Sequence, residues 1–183
     1  PTRAHCCSNG IGPGGCMETE APPSPLPSGS FIGHESFRNH LRTGLLAAAQ
    51  QGWRELLLSD ADFRHWPLGE REVVEALTAW VRGARRFTML AKSYDEVPRL
   101  HARFVEWRRL WSHRIDCRVC READATELPS ALWTPGWTVQ RLDLLHSSGL
   151  CGDDPARRLL LREQIDGWLV RSTPGFPAYT LGL

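Results

Sequence analysis

The sequence predicts one three-layer α/β domain: a mixed, mostly parallel sheet with helices on both faces. Three features point to it. RELLLSD places Leu56, Leu57 and Leu58 in an apolar run without alternation, the pattern of a strand buried on both faces inside a parallel sheet. In VPRLHARFVEWRRLWSHR, apolar Val97, Leu100, Phe104, Trp107 and Trp111 recur in steps of three and four, the stripe of an amphipathic helix. Strand-like runs flank that helix, RRFTMLAKS before it and RIDCRVC after it, so it reads as the crossover of a β-α-β unit.

The elements follow in order. Residues 1–30 are glycine-, cysteine- and proline-rich, without periodicity, and are expected to be a disordered leader; the first methionine is Met17, which is read as the start, with 1–16 an upstream extension or the fragment of a longer chain. Residues 31–183 form the single domain. Phe37, Leu41, Leu45 and Ala48 are helically spaced, and Gly52 is placed to stop that helix. After the triple-leucine strand, the loop ADFRHWPLGE leads into a second helix with Val73, Val74, Leu77, Trp80 and Val81 inward. RRFTMLAKS, the basic helix and RIDCRVC complete the parallel core, and in the last strand Ile115, Cys117 and Val119 share one face. ALWTPGWTVQRLDLL reads as two antiparallel strands turning at Pro135–Gly136. SSGLCG reads as a loop, Asp153 and Asp154 before Pro155 as helix-capping residues, and ARRLLLREQIDGWLVRS as a helix burying Leu161, Ile165, Trp168 and Leu169. Phe176, Tyr179 and Leu181 in the closing tail are expected to dock on the domain.

A chain of 183 residues can bury one sizeable core. Its net charge of +1 exerts no general pull toward nucleic acid or acidic membranes, so any such affinity rests on local charge. No apolar run approaches the roughly 20 residues that span a bilayer, and no signal peptide is legible, so the expected location is cytoplasmic. Outside the leader only Cys117, Cys120 and Cys151 remain, an odd number and a poor disulfide framework. Cys117 and Cys120 have metal-pair spacing but lie in a strand, where residues three apart point to opposite faces, and no second pair completes four ligands. The reading is of reduced, structural thiols, with no metal and no cofactor.

Three stretches, DADFRHWPLG at 60–69, HARFVEWRR at 101–109 and the closing GFPAYTLGL, together resemble an uncharacterised bacterial family with a phospholipase-D-like fold, found alone or behind acetyltransferase domains. The resemblance covers roughly residues 31–183. It implies a three-layer α/β domain without established activity and a functional link to an acetyltransferase. Larger relatives hydrolyse phosphodiesters through paired H-x-K-x4-D motifs, one histidine attacking phosphorus and the other protonating the leaving group. Neither copy is intact here. His101-Ala102-Arg103 imitates H-x-K, but Arg108 stands where the aspartate belongs; His146 is followed by Asp153 at the right distance, but Ser148 replaces the lysine. Without a nucleophile and its orienting acid there is no covalent route.

The sharper candidates each carry a plainer alternative. Asp60 ends a central strand, where open α/β sheets bind ligands, and is equally placed to start an Asx turn or pair with an arginine. Asp62, His65 and Trp66 could line a pocket, or Trp66-Pro67-Leu68 could plug the sheet. His101 could be an acid–base group or a helix-end residue facing solvent. Arg99, Arg103 and Arg108 could hold phosphate bidentately, or form a solvated helix face with Glu106–Arg109 pairing. The preferred reading is a non-catalytic binding or regulatory module in which Arg99, His101, Arg103 and Arg108, with Asp60, hold an anionic partner: a nucleotide, nucleic-acid phosphate or acidic protein. The alternative is a divergent phosphodiesterase or phosphatidyltransferase using His101 or His146.

Overall fold

The computed structural model describes residues 25–83 and 85–178. Among these, the chain runs β1 (Gly29–Phe31), α1 (His34–Gln50), β2 (Glu55–Asp60), α2 (Arg71–Val81), β3 (Arg86–Ala91), α3 (Val97–Leu100), α4 (Ala102–Leu110), β4 (Ile115–Val119), β5 (Ser130–Trp133), β6 (Thr138–Asp143), β7 (Ser148–Gly152), α5 (Pro155–Arg171) and β8 (Thr173–Pro174). The strands form one sheet in the order β1-β7-β6-β5-β2-β3-β4-β8. Leu56 and Leu58 of β2, with Phe87 and Met89 of β3, face the larger core under α1, α2 and α4. Leu57 and Leu90 face the smaller core, where Leu161 and Ile165 of α5 cover the sheet. The triple leucine is thus buried on both faces, as its lack of alternation predicts.

The parallel core is present: β2 pairs with β3, and β3 with β4, in parallel. The sheet as a whole is nonetheless mostly antiparallel, which corrects the expected topology. β1–β7, β7–β6, β6–β5, β5–β2 and β4–β8 all pair antiparallel. Only strands separated by a helical crossover can run parallel, whereas short turns after β5 and β6 force reversal. β7 occupies the stretch read as a loop. Its serines and glycines conceal a strand because β6 passes so close that a Cβ at Gly149 would run into the Gln140 carbonyl.

β1 likewise lies inside the segment expected to be disordered. Gly29–Phe31 adds an edge strand to β7. Just before it, the Pro27 carbonyl accepts a 2.8 Å hydrogen bond from Trp137 Nε1, and Leu26 packs on the core. Residues 1–24, Tyr179 and Leu181 lie outside the described residues. Among those described, no helix is long and apolar enough to cross a membrane.

The basic helix is broken in two. His101, at φ −128° and ψ 45°, separates α3 from α4. Its ring turns inward, and the neighbouring Leu100, placed by periodicity on the apolar stripe, is 50% exposed. Val97, Phe104 and Trp107 are buried as expected. Asp154 caps α5 through its Oδ1, which accepts from the Ala156 amide at 3.1 Å.

Phe104→Ala is therefore expected to cost about 3–5 kcal/mol, whereas Leu100→Ala should stay within about 0.5 kcal/mol; urea denaturation of the two variants checks the contrast. A chain beginning at Phe31 loses the rest of β1 and the partner of the Trp137 indole, so it should melt below the full chain in a calorimetric scan.

Candidate functional site

Parallel pairing brings the carboxyl ends of β3 and β4 level, with Ala91 opposite Val119. The chain leaves β3 as Lys92 and leaves β4 through Cys120 to Arg121, so two cations flank the place where open sheets hold ligands. Past Lys92, Tyr94 turns inward, its hydroxyl 3.0 Å from the carbonyl oxygens of Met89 and Arg118. Burial holds that hydroxyl protonated by pushing its pKa well above the ordinary tyrosine value. Tyr94 stacks on Phe176, ring centroids 4.9 Å apart at 9°. Phe176 follows β8 with a left-handed φ of 47°, and the segment is pinned by the Gly175 amide donating to the Cys117 carbonyl at 2.9 Å.

Over Phe176 lies Arg108 of α4, its guanidinium carbon 4.5 Å from the ring centroid. Arg108 Nε donates to Cys117 Sγ at 3.1 Å, and the residue is only 6% exposed. It does not belong to a solvated helix face, because the restart of the helix at Ala102 turns position 108 toward the sheet. Together these elements bound a cleft of about 860 Å³. Lys92, Arg99, Arg108, Arg109 and Arg121 line it, with Asp95 as its one acid among the described residues, and Pro98, Val105 and Val119 supply apolar wall. Arg99 and Arg109 reach Glu96 and Glu106 at 3.8 and 3.0 Å in exposed pairs, which hold little energy. Lys92 and Arg121 make no ion pair among the described residues.

Of the residues singled out by sequence, the cleft gathers Arg99 and Arg108 and leaves out the other three. Arg103 donates to the Gly69 carbonyl at 2.7 Å, on the Asp60–Gly69 loop. His101 is 5% exposed and holds the cap position between α3 and α4 without a capping bond from its side chain; its Nε2 instead donates to the Phe63 carbonyl at 2.8 Å, turned away from solvent. Burial holds its pKa below the ordinary histidine value, outweighing that hydrogen bond. Lys92 and Arg121 are the members that sequence reasoning misses. Their one signal is position, each just beyond the end of a parallel strand.

Asp60 makes both of its plainer interactions at once. Its Oδ2 accepts the amides of Phe63 and Asp62 at 2.8 and 3.3 Å. Its Oδ1 accepts from Ser130 Oγ and from Arg141 Nη2 at 3.1 Å, in an ion pair 1% and 5% exposed at the two side chains. Arg141 Nη1 also lies 3.4 Å from Ser147 Oγ, which is 2.7 Å from His34 Nδ1. His34 in turn lies against His65, with ring centroids 4.5 Å apart and planes tilted by 31°. His146, the other candidate nucleophile, is exposed on the β6–β7 turn and pairs with Asp143 at 2.7 Å. Trp66 and Leu68 plug the larger core, and Cys117 and Cys120 belong to opposite cores.

No family model matches the chain, and no curated protein sequence matches it. Among solved structures it is similar to TrmBL2, an archaeal chromatin protein described as showing a novel mode of DNA binding. The TM-score is 0.57 at 14% identity, over 81% of this chain and 55% of that one. The likeness is one of fold, and the chain spans about half the length of that protein.

The pH response follows from the buried histidines. His40, His65 and His101 all have lowered pKa values, with burial the largest cause. Such a group is neutral in the folded and unfolded chain at high pH. As pH falls through the unfolded value of about 6.5, the unfolded chain binds the proton first and stability drops. His101→Gln, which keeps a donor for the Phe63 carbonyl, should lose less stability than wild type between pH 7 and pH 5.5 in urea titrations.

Proposed function

We propose that the chain is a non-catalytic binding module that recognises an anionic partner through the cleft at the carboxyl ends of β3 and β4. The observation that carries this is convergence: among the described residues, five cations from three parts of the chain face one cavity against a single acid. The overall charge of +1 shows that this is placement rather than composition. The fold shared with a DNA-binding chromatin protein is in keeping with a nucleic-acid phosphate as one such partner. The phospholipase-D-like reading of the scaffold belongs to the same proposal. In its support, two of the stretches that suggest it touch each other, His101 and Arg103 bonding to Phe63 and Gly69.

A divergent phosphodiesterase is the second reading. His101 and His146 sit on separate loops with separate partners, so they give it little support. The adjacent pair of His34 and His65, beside Ser147 and Arg141, is the arrangement that favours it. Release of nitrophenol from bis(p-nitrophenyl) phosphate, lost in His65→Ala, would establish that reading over the first.

The binding reading is tested by titrating a short single-stranded oligonucleotide at several salt concentrations. Replacing Lys92 and Arg121 together by Gln should weaken binding and lower the salt slope by about 0.7 for each phosphate that is no longer neutralised. Stability should stay within about 1 kcal/mol, because neither cation holds an ion pair among the described residues. Arg103→Gln, off the cleft, should bind as wild type does. Equal weakening in both variants would move the site to the Gly69 loop.

A further inference from the structure

We infer that the cleft is built for the terminal phosphate of a small phosphomonoester, gripped in a fork by Arg108. This rests on the anion-binding reading and narrows it to one chemical class. The decisive group is the guanidinium of Arg108. Arg141, comparably buried, has a carboxylate and two serine hydroxyls around it. Arg108 has a thiol and an aromatic ring, and no carboxylate lies within ion-pair distance of it among the described residues. The thiol supplies no countercharge, since burial keeps Cys117 protonated by raising its pKa. An uncompensated buried charge is costly, and chains keep one where a ligand supplies the counter-ion.

The geometry is that of a preset fork. Phe176 covers the guanidinium plane and Cys117 holds Nε, which leaves Nη1 and Nη2 with no acceptor among the described residues. With its plane and Nε taken, the end of the guanidinium is the part of Arg108 left for a ligand in the cleft that it lines. Two parallel N–H donors at fixed separation match two oxygens of one phosphate.

Shape and charge narrow the ligand further. A cavity of about 860 Å³ is of small-molecule size. An internal phosphodiester of a long strand runs along a surface, and only a terminal group can enter far enough to meet a side chain 6% exposed. Lys92 and Arg121 stand at the same cleft with no ion pair among the described residues. A group bearing nearly two charges meets that field better than a carboxylate bearing one.

The test uses the full chain and three probes, phenyl phosphate, dimethyl phosphate and acetate, in isothermal calorimetry. Phenyl phosphate is expected to bind at least about tenfold more tightly than the other two, the size of one charge-assisted hydrogen bond. Its affinity should rise as pH increases through about 6, where the second phosphate proton leaves. Arg108→Lys, which keeps the charge and loses the fork, should weaken it about tenfold or more, and Arg108→Met should abolish it. Should Arg108→Met fail to fold, the wild-type Arg108 Nε–H resonance, assigned through the Lys variant, must shift on adding phenyl phosphate. Equal affinity for the diester, or binding indifferent to Arg108, overturns the inference. Oligonucleotide binding without phenyl phosphate binding overturns it and leaves the broader reading standing. Binding of neither overturns both.

Discussion

Asp60 and Arg141 meet where the two halves of the sheet join. β2 runs parallel to β3 on one side and antiparallel to β5 on the other, and Asp60 is its last residue. Through one carboxylate oxygen it holds Ser130 of β5 and Arg141 of β6. Through the other it caps the turn that carries Phe63 into the larger core. Arg141 lies over the Phe37 ring of α1, 4.8 Å from its centroid, and reaches Ser147 in the next turn. Six segments therefore meet at one buried pair. Forming such a pair contributes little net stability, because both charges leave water, but stranding either partner costs about 3–5 kcal/mol. A slip of β5 or β6 by one residue would strand both. The pair penalises wrong registers, and its restriction of the sheet matters more than any energy it adds.

This division of the sheet also explains why the basic cleft stands where it does. The antiparallel half returns through tight turns, and its end of the sheet is occupied by the Asp60–Arg141 network. In the parallel half β2 and β3 hand over to helices and β4 crosses to β5 through residues 120–129, so these strand ends open into loops rather than hairpins. Lys92 and Arg121 sit in those loops. α3 and α4 bring Arg99, Arg108 and Arg109 back over them, and Phe176 closes the side. Antiparallel β8 contributes by delivering that ring.

The regular parts of the fold were legible because periodicity reports burial directly. The triple leucine, the stripe of α2 and the Pro135–Gly136 turn each had one physical reading. β7 was not legible, since Gly149 answers to the close approach of the β6 backbone, which no local pattern records, and β1 is a three-residue edge strand too short to carry a periodicity. Arg103 and His101 were misplaced for a related reason. An unbroken helix from Val97 would set both on an outer face, but the chain breaks at His101, whose imidazole fills the space beside the Phe63 carbonyl. The Asx turn and the arginine pair, the plainer alternative for Asp60, are both present, although the particular arginine, 81 positions away, was invisible in the sequence.

Arg108 shows what a helical stripe conceals. On α4 the inward positions are Phe104, Trp107 and Arg108, steps of three and one, which an amphipathic helix produces when its buried face is wide. An arginine on such a face is ordinarily placed at the rim, its stem covering apolar surface and its head in water. Here the head is held below the rim by Phe176 and Cys117. A long side chain with free rotation would have extended to solvent at little cost, so holding it requires two packed neighbours from β4 and the segment after β8. Neither neighbour offers a negative charge. Two separate parts of the chain thus position a cation without neutralising it, and a purely structural role would be filled equally well by a methionine, which fits such a space without the desolvation cost.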